Sequence, residues 1–220
     1  MKSSLIINLK RIGDILSTSS LVSSLKTGAP DSHVTMVVYE EFEQTANLIS
    51  EVDEVVTIDR KKLETFSKSN LFSDFYALNY LCEALAPVKQ KNWDNAVNIS
   101  NDLLSTRVIS YLKESTEIVC GIYYGRDQRL KASSDWAIVY NDLLPGRLNA
   151  PLHFQDVYQG MTERETSHYS PTALKTRSQY DNQTAKNFAK IREAYGDDES
   201  IRLIGIQAKT STKSKDIPFG

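Results

Sequence analysis

The sequence has no long apolar run. No stretch reaches the roughly 18 apolar residues that a membrane-spanning helix needs. The N-terminus also enters a strand-like pattern almost at once, without the layout of a signal peptide. We therefore expect a cytoplasmic protein, in which any membrane association would have to come from a local basic or apolar patch.

The sequence also lacks an excess of charge of one sign. Its 26 basic and 28 acidic residues leave a formal net charge of -2, so no overall field attracts the chain to nucleic acid. Its only two cysteines, Cys82 and Cys120, lie among apolar residues, which predicts buried reduced thiols and no disulfide framework. Its three histidines do not pair with Glu or Cys at ligand spacing, so we expect no metal site.

Glycine-rich phosphate-binding motifs are missing as well. The sequence contains neither the GxGxxG pattern of dinucleotide-binding folds nor the phosphate-loop signature of nucleoside triphosphatases. These absences argue against a dinucleotide-dependent dehydrogenase and against a triphosphatase. We expect no cofactor.

What the sequence does have is a regular alternation of strand and helix patterns. Short, nearly continuous apolar runs are typical of buried parallel strands, and apolar residues three and four positions apart are typical of helices. The predicted strands are Leu5–Leu9, Val34–Tyr39, Val55–Ile58, Ala96–Ser100 and Glu117–Tyr123. The predicted helices are Ile15–Lys26, Glu41–Ile49, Phe72–Val88 and Leu103–Leu112. This alternation predicts an α/β fold with a doubly wound, Rossmann-like parallel sheet.

The later part of the sequence is less regular. The polar segment that ends at Ser134 has no periodicity and is predicted to be an irregular loop. Further helices are predicted at Ile138–Leu144, Phe154–Met161 and Thr184–Tyr195, and a further strand at Arg202–Gln207. Because a parallel strand needs a crossover helix to bury it, we expect the sequence to be cut just inside a second domain.

Asp14 is the first candidate functional residue. It follows Gly13 directly after the first predicted strand, and ligands of open α/β sheets collect at the carboxyl ends of strands. Glycine would let the backbone turn tightly there, and the carboxylate could then act as a general base toward a bound hydroxyl. Asp14 could equally cap the following helix, because aspartate accepts hydrogen bonds from the first helical amides. Spacing alone leaves both interpretations open.

The segment Ile6–Leu16 resembles the opening of the family 9 glycosyltransferases, the heptosyltransferase family, in which a Gly-Asp pair ends the first strand. The likeness extends over nearly the whole sequence. It continues through Leu21–Lys26, Ala29–Thr35, Val52–Val56, Trp93–Ile99, Pro151–Tyr158, Gly205–Ser211 and Lys215–Pro218.

The resemblance implies the N-terminal half of a glycosyltransferase built from two facing Rossmann-like domains, the GT-B arrangement. It implies an acceptor-binding domain over residues 1–165 and a linker with a crossover helix over 166–200. Residues 201–220 would then form the first strand and loop of a truncated nucleotide-sugar domain. By itself such a fragment would not complete a sugar transfer.

The resemblance also implies roles for single residues. Asp14 matches the aspartate that deprotonates the acceptor hydroxyl, with Gly13 beside it. Asn101 matches an amide position near the acceptor, although Asp102 follows it where relatives often have glycine. The basic cluster Arg60, Lys61 and Lys62 would face an acidic acceptor, or would form a solvated turn that balances Glu51, Asp53 and Glu54.

On the donor side, Thr210 and Ser211 match hydroxyl positions, and Lys215 matches a lysine that together with them holds the donor diphosphate. The implied reaction is inverting transfer of heptose from ADP-heptose to the lipid A inner core of lipopolysaccharide, at the cytoplasmic face of the inner membrane. Its partners would be a nucleotide-sugar donor and an inner-core saccharide acceptor, with no metal. Two alternatives stay open: transfer from another nucleotide-sugar in surface-glycan assembly, and a non-catalytic module that binds a saccharide or a protein.

Overall fold

The structure of the chain is a computed structural model, which describes residues 2–68, 72–143 and 153–162, together with residues 186, 187, 189, 190, 192 and 193. The chain divides into two compact units, Met1–Lys175 and Thr176–Gly220. The six separate residues belong to the second unit and are helical, as predicted. The division into segments 1–165, 166–200 and 201–220 stays a prediction.

Five parallel strands form the centre of the first unit, in the order β3-β2-β1-β4-β5. These strands are β1 (Ser3–Ile7), β2 (His33–Tyr39), β3 (Glu54–Ile58), β4 (Trp93–Asn98) and β5 (Thr116–Cys120). In the central strand β1, Leu5, Ile6 and Ile7 are fully buried, because helices cover both faces of the sheet. The predicted doubly wound α/β fold is confirmed.

Helices cover each face of the sheet in a separate layer. One face is covered by α1 (Ile12–Ser17), α2 (Ser19–Gly28), α3 (Glu43–Ala46), α7 (Asp135–Leu143) and α8 (Phe154–Gly160). The other face is covered by α4 (Arg60–Ser67), α5 (Ser73–Lys89) and α6 (Leu103–Leu112). Ile6 packs into the first layer, whereas its neighbours Leu5 and Ile7 pack into the second, since successive strand residues point to opposite faces. The two cores fix the register of the sheet.

The helix predicted for Ile15–Lys26 is in fact two helices. It begins earlier, at Ile12, and is interrupted at Thr18 between α1 and α2. The Thr18 hydroxyl donates back to the carbonyl of Asp14 at 3.0 Å and also receives the Asn8 amide at 2.9 Å. A threonine that bonds to the preceding turn bends a helix, and the buried Asn8 holds this bend in place.

The predicted single strand Glu117–Tyr123 is also divided. Gly121 has φ +98°, and a Cβ at this position would lie 2.6 Å from the carbonyl oxygen of Asn98. The chain turns there and forms a separate antiparallel hairpin of β6 (Ile122–Tyr124) and β7 (Leu130–Ala132). The prediction of an irregular loop up to Ser134 was therefore wrong. The two cysteines are free; Cys120 is buried as predicted, while Cys82 is half-buried.

Candidate functional site at the carboxyl edge of the sheet

The chain changes direction between β1 and β4. From the central β1 it winds outward through β2 and β3, and then it returns to add β4 and β5 on the other side. At such a switch point the loops after the two neighbouring strands diverge and leave a crevice at the carboxyl edge of the sheet, where open α/β folds bind ligands. The loop after β1 carries Lys10 and leads to Asp14, and the loop after β4 carries Asn101 and Asp102.

Buried polar side chains hold the two loops together. The Ser100 hydroxyl accepts the backbone amide of Leu9, which ties the end of β4 to the end of β1. The Asn8 amide group donates to the Asp14 carbonyl at 3.2 Å, and its oxygen accepts the Lys10 amide at 3.1 Å. Both Asn8 and Ser100 are fully buried. The loop that presents Asp14 is therefore rigidly attached to the sheet.

Asp14 is the third residue of α1, and its side chain is half-buried. One carboxylate oxygen accepts the backbone amide of Arg11 at 3.3 Å, and no other hydrogen bond to this carboxylate is found among the described residues. The N-cap residue of α1 is Arg11 and not Asp14, although Asp14 accepts the backbone amide of Arg11 at the helix start. A carboxylate with a single long hydrogen bond at a switch point is able to accept a proton from a bound hydroxyl.

Gly13 does not have the conformation that was expected. It lies within α1, it does not have a positive φ, and a Cβ added to it would meet no atom of the described residues within 4 Å. The tight-turn argument for Gly13 was wrong. The absence of a side chain at Gly13 leaves open space beside Asp14.

Across the switch point, Asp102 is the N-cap of α6 and accepts the Ser105 amide at 2.9 Å. Its second carboxylate oxygen lies 3.5 Å from the Lys10 ammonium, so an ion pair bridges the two loops. Asn101 adopts a left-handed backbone conformation with φ 52°, and its side-chain amide donates to the Asn141 oxygen at 3.0 Å. Asn101 thus joins the β4 loop to α7.

Two tyrosines lie beneath these loops. Tyr140 of α7 and Tyr158 of α8 are buried, with ring centroids 5.5 Å apart in an edge-to-face arrangement. Burial raises the pKa of Tyr140, and the charges of Asp14 and Asp102 raise it further. Burial is also the main cause that raises the pKa of Tyr158. Both phenols are therefore neutral, and Tyr140 lies within electrostatic reach of both carboxylates.

A small cavity of about 230 Å³ opens beside Asn101, between the start of α6 and the hairpin. Its polar wall contains Asn101, Asp102 and Asn141, and its apolar wall includes Leu103, Ile122 and Leu130. Amide and carboxylate groups opposite an apolar wall suit a ligand that has both hydroxyl groups and apolar faces.

The basic cluster at 60–62 lies at the same edge of the sheet, after β3, and it forms the first turn of α4. Arg60 pairs with Glu41 at 2.8 Å and lies over the Tyr39 ring, 5.5 Å from its centroid. Lys62 lies 4.7 Å from the centroid of the Tyr80 ring. The surrounding concave surface has more acids than bases: it is lined by Glu40, Glu41, Glu43 and Asp59 against Arg60 and Lys61.

Two of the three acids predicted to balance the basic turn, Asp53 and Glu54, have other partners. Asp53 and Glu54 lie at the opposite, amino edge of the sheet, where they pair with Lys26 and Lys91. Arg60 is instead paired locally with Glu41. Binding of an acidic acceptor by residues 60–62 stays a prediction.

The predicted donor-phosphate residues Thr210, Ser211 and Lys215 lie outside the described residues. Within the described part of the chain, no group of three or more His, Cys, Asp or Glu side chains is arranged to hold a metal ion. In that same part, no helix has the length and apolar character needed to cross a bilayer.

Comparison with solved structures identifies the fold. A family 9 glycosyltransferase from Veillonella parvula DSM 2008 superimposes with a TM-score of 0.65 at 18% identity, over 99% of this chain and 56% of the other. The chain has the fold of the family 9 glycosyltransferases. Escherichia coli heptosyltransferase II matches with a TM-score of 0.52 at 14% identity, over 86% of this chain and 51% of the other. E. coli WaaC with ADP-2-deoxy-2-fluoro heptose matches with a TM-score of 0.50 at 15% identity, over 80% and 50%.

The chain spans about half the length of these solved structures. A scan against protein-family models and a comparison with curated proteins gave no match. The family 9 fold was expected from the sequence and is confirmed. Sequence identities of 14% to 18% establish the fold and nothing further about the chain.

Sequence reasoning missed several residues of this edge: Lys10, Asn8, Tyr140 and Asn141. Asn8 lies within the predicted strand Leu5–Leu9 and Lys10 directly follows it, but the sequence around a polar residue does not indicate which distant residue it will contact. Asn141 and Tyr140 come from α7, about forty residues after Asn101, and only the packed fold brings them near. A helical pattern at Ile138–Leu144 predicted the helix but not which edge of the sheet it would reach.

Proposed function

We propose that the chain is the acceptor-side half of an inverting glycosyltransferase, and that Asp14 is its general base. The observation that supports this most directly is the position of Asp14, at the switch point of a family 9 fold, with one long hydrogen bond to its carboxylate and open space beside it. The Asn8 contacts fix the backbone that presents it. Such rigid support is what a proton-accepting group needs for efficient transfer.

In the proposed reaction, the Asp14 carboxylate takes the proton from an acceptor hydroxyl. The acceptor oxygen then bonds to the anomeric carbon of the donor sugar as the bond from that carbon to the diphosphate breaks. The nucleoside diphosphate leaves with the electron pair, and the configuration at carbon inverts. Thr210, Ser211 and Lys215 are proposed to offset the charge of the leaving diphosphate.

The Lys10–Asp102 ion pair and the Asn101–Asn141 hydrogen bond are proposed to orient the acceptor. The ion pair bridges the β1 and β4 loops, and the hydrogen bond attaches the β4 loop to α7, so an acceptor held in the crevice would contact both loops. Tyr140 lies beneath them as a neutral phenol, so it does not compete with Asp14 for the proton. Gly13 is proposed to leave room for the acceptor ring.

Heptose is the proposed sugar, ADP-heptose the donor and the lipopolysaccharide inner core the acceptor, at the cytoplasmic face of the inner membrane. The support is the likeness to E. coli WaaC, whose structure holds ADP-2-deoxy-2-fluoro heptose, and to E. coli heptosyltransferase II. A single hydroxyl contact can change sugar preference by a large factor. The sugar is therefore the part of the proposal most sensitive to experiment.

The test is sugar transfer by the natural-length protein, with ADP-heptose and a truncated lipid A core acceptor, against a panel of other nucleotide-sugars. We expect release of ADP that depends on the acceptor. Turnover with a different donor would keep the mechanism and replace the sugar. If the folded protein turned over none of the donors but still bound the saccharide, the chain would be a binding module and the enzyme proposal would fail.

A further inference from the structure

A second cavity lies away from the switch point, between the last turns of α6 and the hairpin of β6 and β7. Its volume is about 570 Å³. It is lined by Arg107, Ser110, Tyr111, Lys113, Glu114, Tyr124, Gly125, Arg126 and Gln128. Ser110 lies eight residues beyond Asp102, which is about 12 Å along the helix. The cavity is therefore distinct from the crevice that holds Asp14.

The charge of this cavity is strongly positive for a protein with a net charge of -2. Arg107, Lys113 and Arg126 contribute three cations against a single acid, Glu114. That acid is 83% exposed, and the Lys89 ammonium lies 3.6 Å from it, so it does little to neutralise the cavity. The concave surface around Arg60 has the opposite balance, with four acids and two bases.

The two arginines have no salt bridge or hydrogen-bond partner among the described residues. By contrast, Arg60 at the other concave surface pairs with Glu41, and Lys10 and Lys91 pair with Asp102 and Glu54. Two unpaired guanidinium groups in one cavity repel each other unless an anion lies between them. Guanidinium groups also suit phosphate geometry, because they donate two parallel hydrogen bonds.

The walls of the cavity are fixed by hydrogen bonds. The Ser110 hydroxyl accepts the Tyr124 amide at 2.7 Å, and the Lys113 ammonium donates to the Tyr124 carbonyl at 2.7 Å. These bonds attach β6 to α6. The hairpin turn is closed by the Gly125 amide, which donates to the Arg129 carbonyl at 2.8 Å. Arg126, which lines the cavity together with Arg107, is thus part of a turn held in place by hydrogen bonds.

We propose that this cavity is a binding site for a phosphoryl group, held by Arg107 and Arg126 with Lys113 adding its charge. The ligand is a phosphate monoester, carried either by a soluble molecule or by a lipid headgroup. The site is independent of the glycosyltransferase proposal, because neither Asp14 nor a nucleotide-sugar takes part in it.

The test is a titration of the isotope-labelled chain with inorganic phosphate and with glucose 1-phosphate. The chemical shifts of the backbone amides are recorded at each ligand concentration. We expect saturable shifts at Gly125, Arg126 and Arg107. R107Q and R126Q should each weaken binding about tenfold, since each removes a charge-assisted hydrogen bond. The matched control is R129Q, which removes an exposed arginine of the same turn that does not line the cavity.

A parallel sedimentation assay with vesicles containing phosphatidic acid distinguishes the two sources. Vesicle binding that R107Q and R126Q abolish assigns the phosphoryl group to a lipid, whereas saturable binding of glucose 1-phosphate alone assigns it to a soluble ligand. The inference is overturned if neither probe binds, or if R129Q weakens binding as much as R107Q and R126Q do. Equal denaturation midpoints for the variants and the wild type show that binding losses do not come from unfolding.

Discussion

The two edges of the central sheet use charged residues in different ways. At the amino edge, Asp53 accepts the Lys26 ammonium at 2.7 Å and the Val34 amide at 2.7 Å, and Glu54 binds Lys91 and Thr35. At the carboxyl edge, Asp14 accepts one amide at 3.3 Å. The amino edge satisfies its carboxylates with strong partners, whereas the carboxyl edge leaves one carboxylate accessible. The difference separates charges that hold the fold from a charge that is available for chemistry.

The largest effect we expect is on turnover at the carboxyl edge. Asp14→Asn should lower the rate of sugar transfer by about 10²- to 10⁴-fold, the usual contribution of a general base. Its free energy of unfolding should change little, because the side chain has one long hydrogen bond to lose. Steady-state kinetics and urea unfolding of the same preparation measure both quantities. A variant that kept most of its rate and lost stability instead would make Asp14 a helix-start residue only.

The matched substitution at the amino edge should have the reverse effect. Asp53→Asn removes the negative charge that pairs with Lys26 and weakens the bond from the Val34 amide. We expect a loss of about 1 to 2 kcal/mol in the free energy of unfolding, with the turnover of the folded protein unchanged. Urea unfolding tests this. If Asp53→Asn lowered turnover without destabilising the protein, the proposed separation between the two edges would be wrong.

Carboxylates of the amino edge should also cause the loss of folding stability in acid. The hydrogen bond from Lys91 is the main cause that lowers the pKa of Glu54. Burial acts to raise the pKa of Asp53, but the bonds from Lys26 and Val34 outweigh it and lower that pKa.

Carboxyl groups whose pKa is lowered on folding stabilise the protein above their unfolded pKa values of about 4, and this stabilisation is lost as the pH falls further. Unfolding measured from neutral pH down to about pH 3 should therefore show a steep decline in wild type and a shallower one in the double variant Asp53→Asn, Glu54→Gln. Glu43→Gln, at an exposed position, is the control and should keep the wild-type slope. Equal slopes in all three proteins would show that Asp53 and Glu54 do not cause the loss of stability in acid.

The smallest effect concerns the backbone of the carboxyl edge. Asn101 has φ 52°, a conformation that costs about 1 kcal/mol for most residues and little for glycine or asparagine. Asn101→Ala should therefore destabilise the protein by about 1 kcal/mol, whereas Asn101→Gly should be nearly neutral. Thermal denaturation of the two variants compares them. Equal losses would mean that the hydrogen bond to Asn141, which both variants remove, matters more than the backbone conformation.

Local patterns were enough to predict the sheet and most of its helices. The buried runs of β1 and β2 and the helical spacing of Leu103–Leu112 need no distant partner to be recognised, and the observed α6 has those bounds. The helix α4 was missed because its start depends on Asp59, whose side chain accepts the Lys62 amide at 3.0 Å. The hairpin was missed because Gly121 turns the chain only where it meets Asn98.

The site was also predictable only in part, because its contacts join residues that are distant in the sequence. Asp14 and Asn101 were identified from strand ends and from the resemblance to family 9 glycosyltransferases. Lys10 and Asn141 come from separate loops and helices, and their contacts exist only once β1 and β4 lie side by side. Charge pairing across loops is a property of the fold, so the sequence around Arg60 gave no sign that Glu41 would pair with it.

The central claim is that the acceptor binds at the carboxyl edge, and chemical-shift mapping of the chain with a truncated inner-core saccharide tests it most directly. This measurement needs no donor and no turnover. We predict shifts at Lys10, Asp14 and Asn101, and none at Asp53 or Glu54 on the opposite edge. Shifts confined to the amino edge, or a saccharide that leaves the carboxyl edge unperturbed at saturation, would contradict the account.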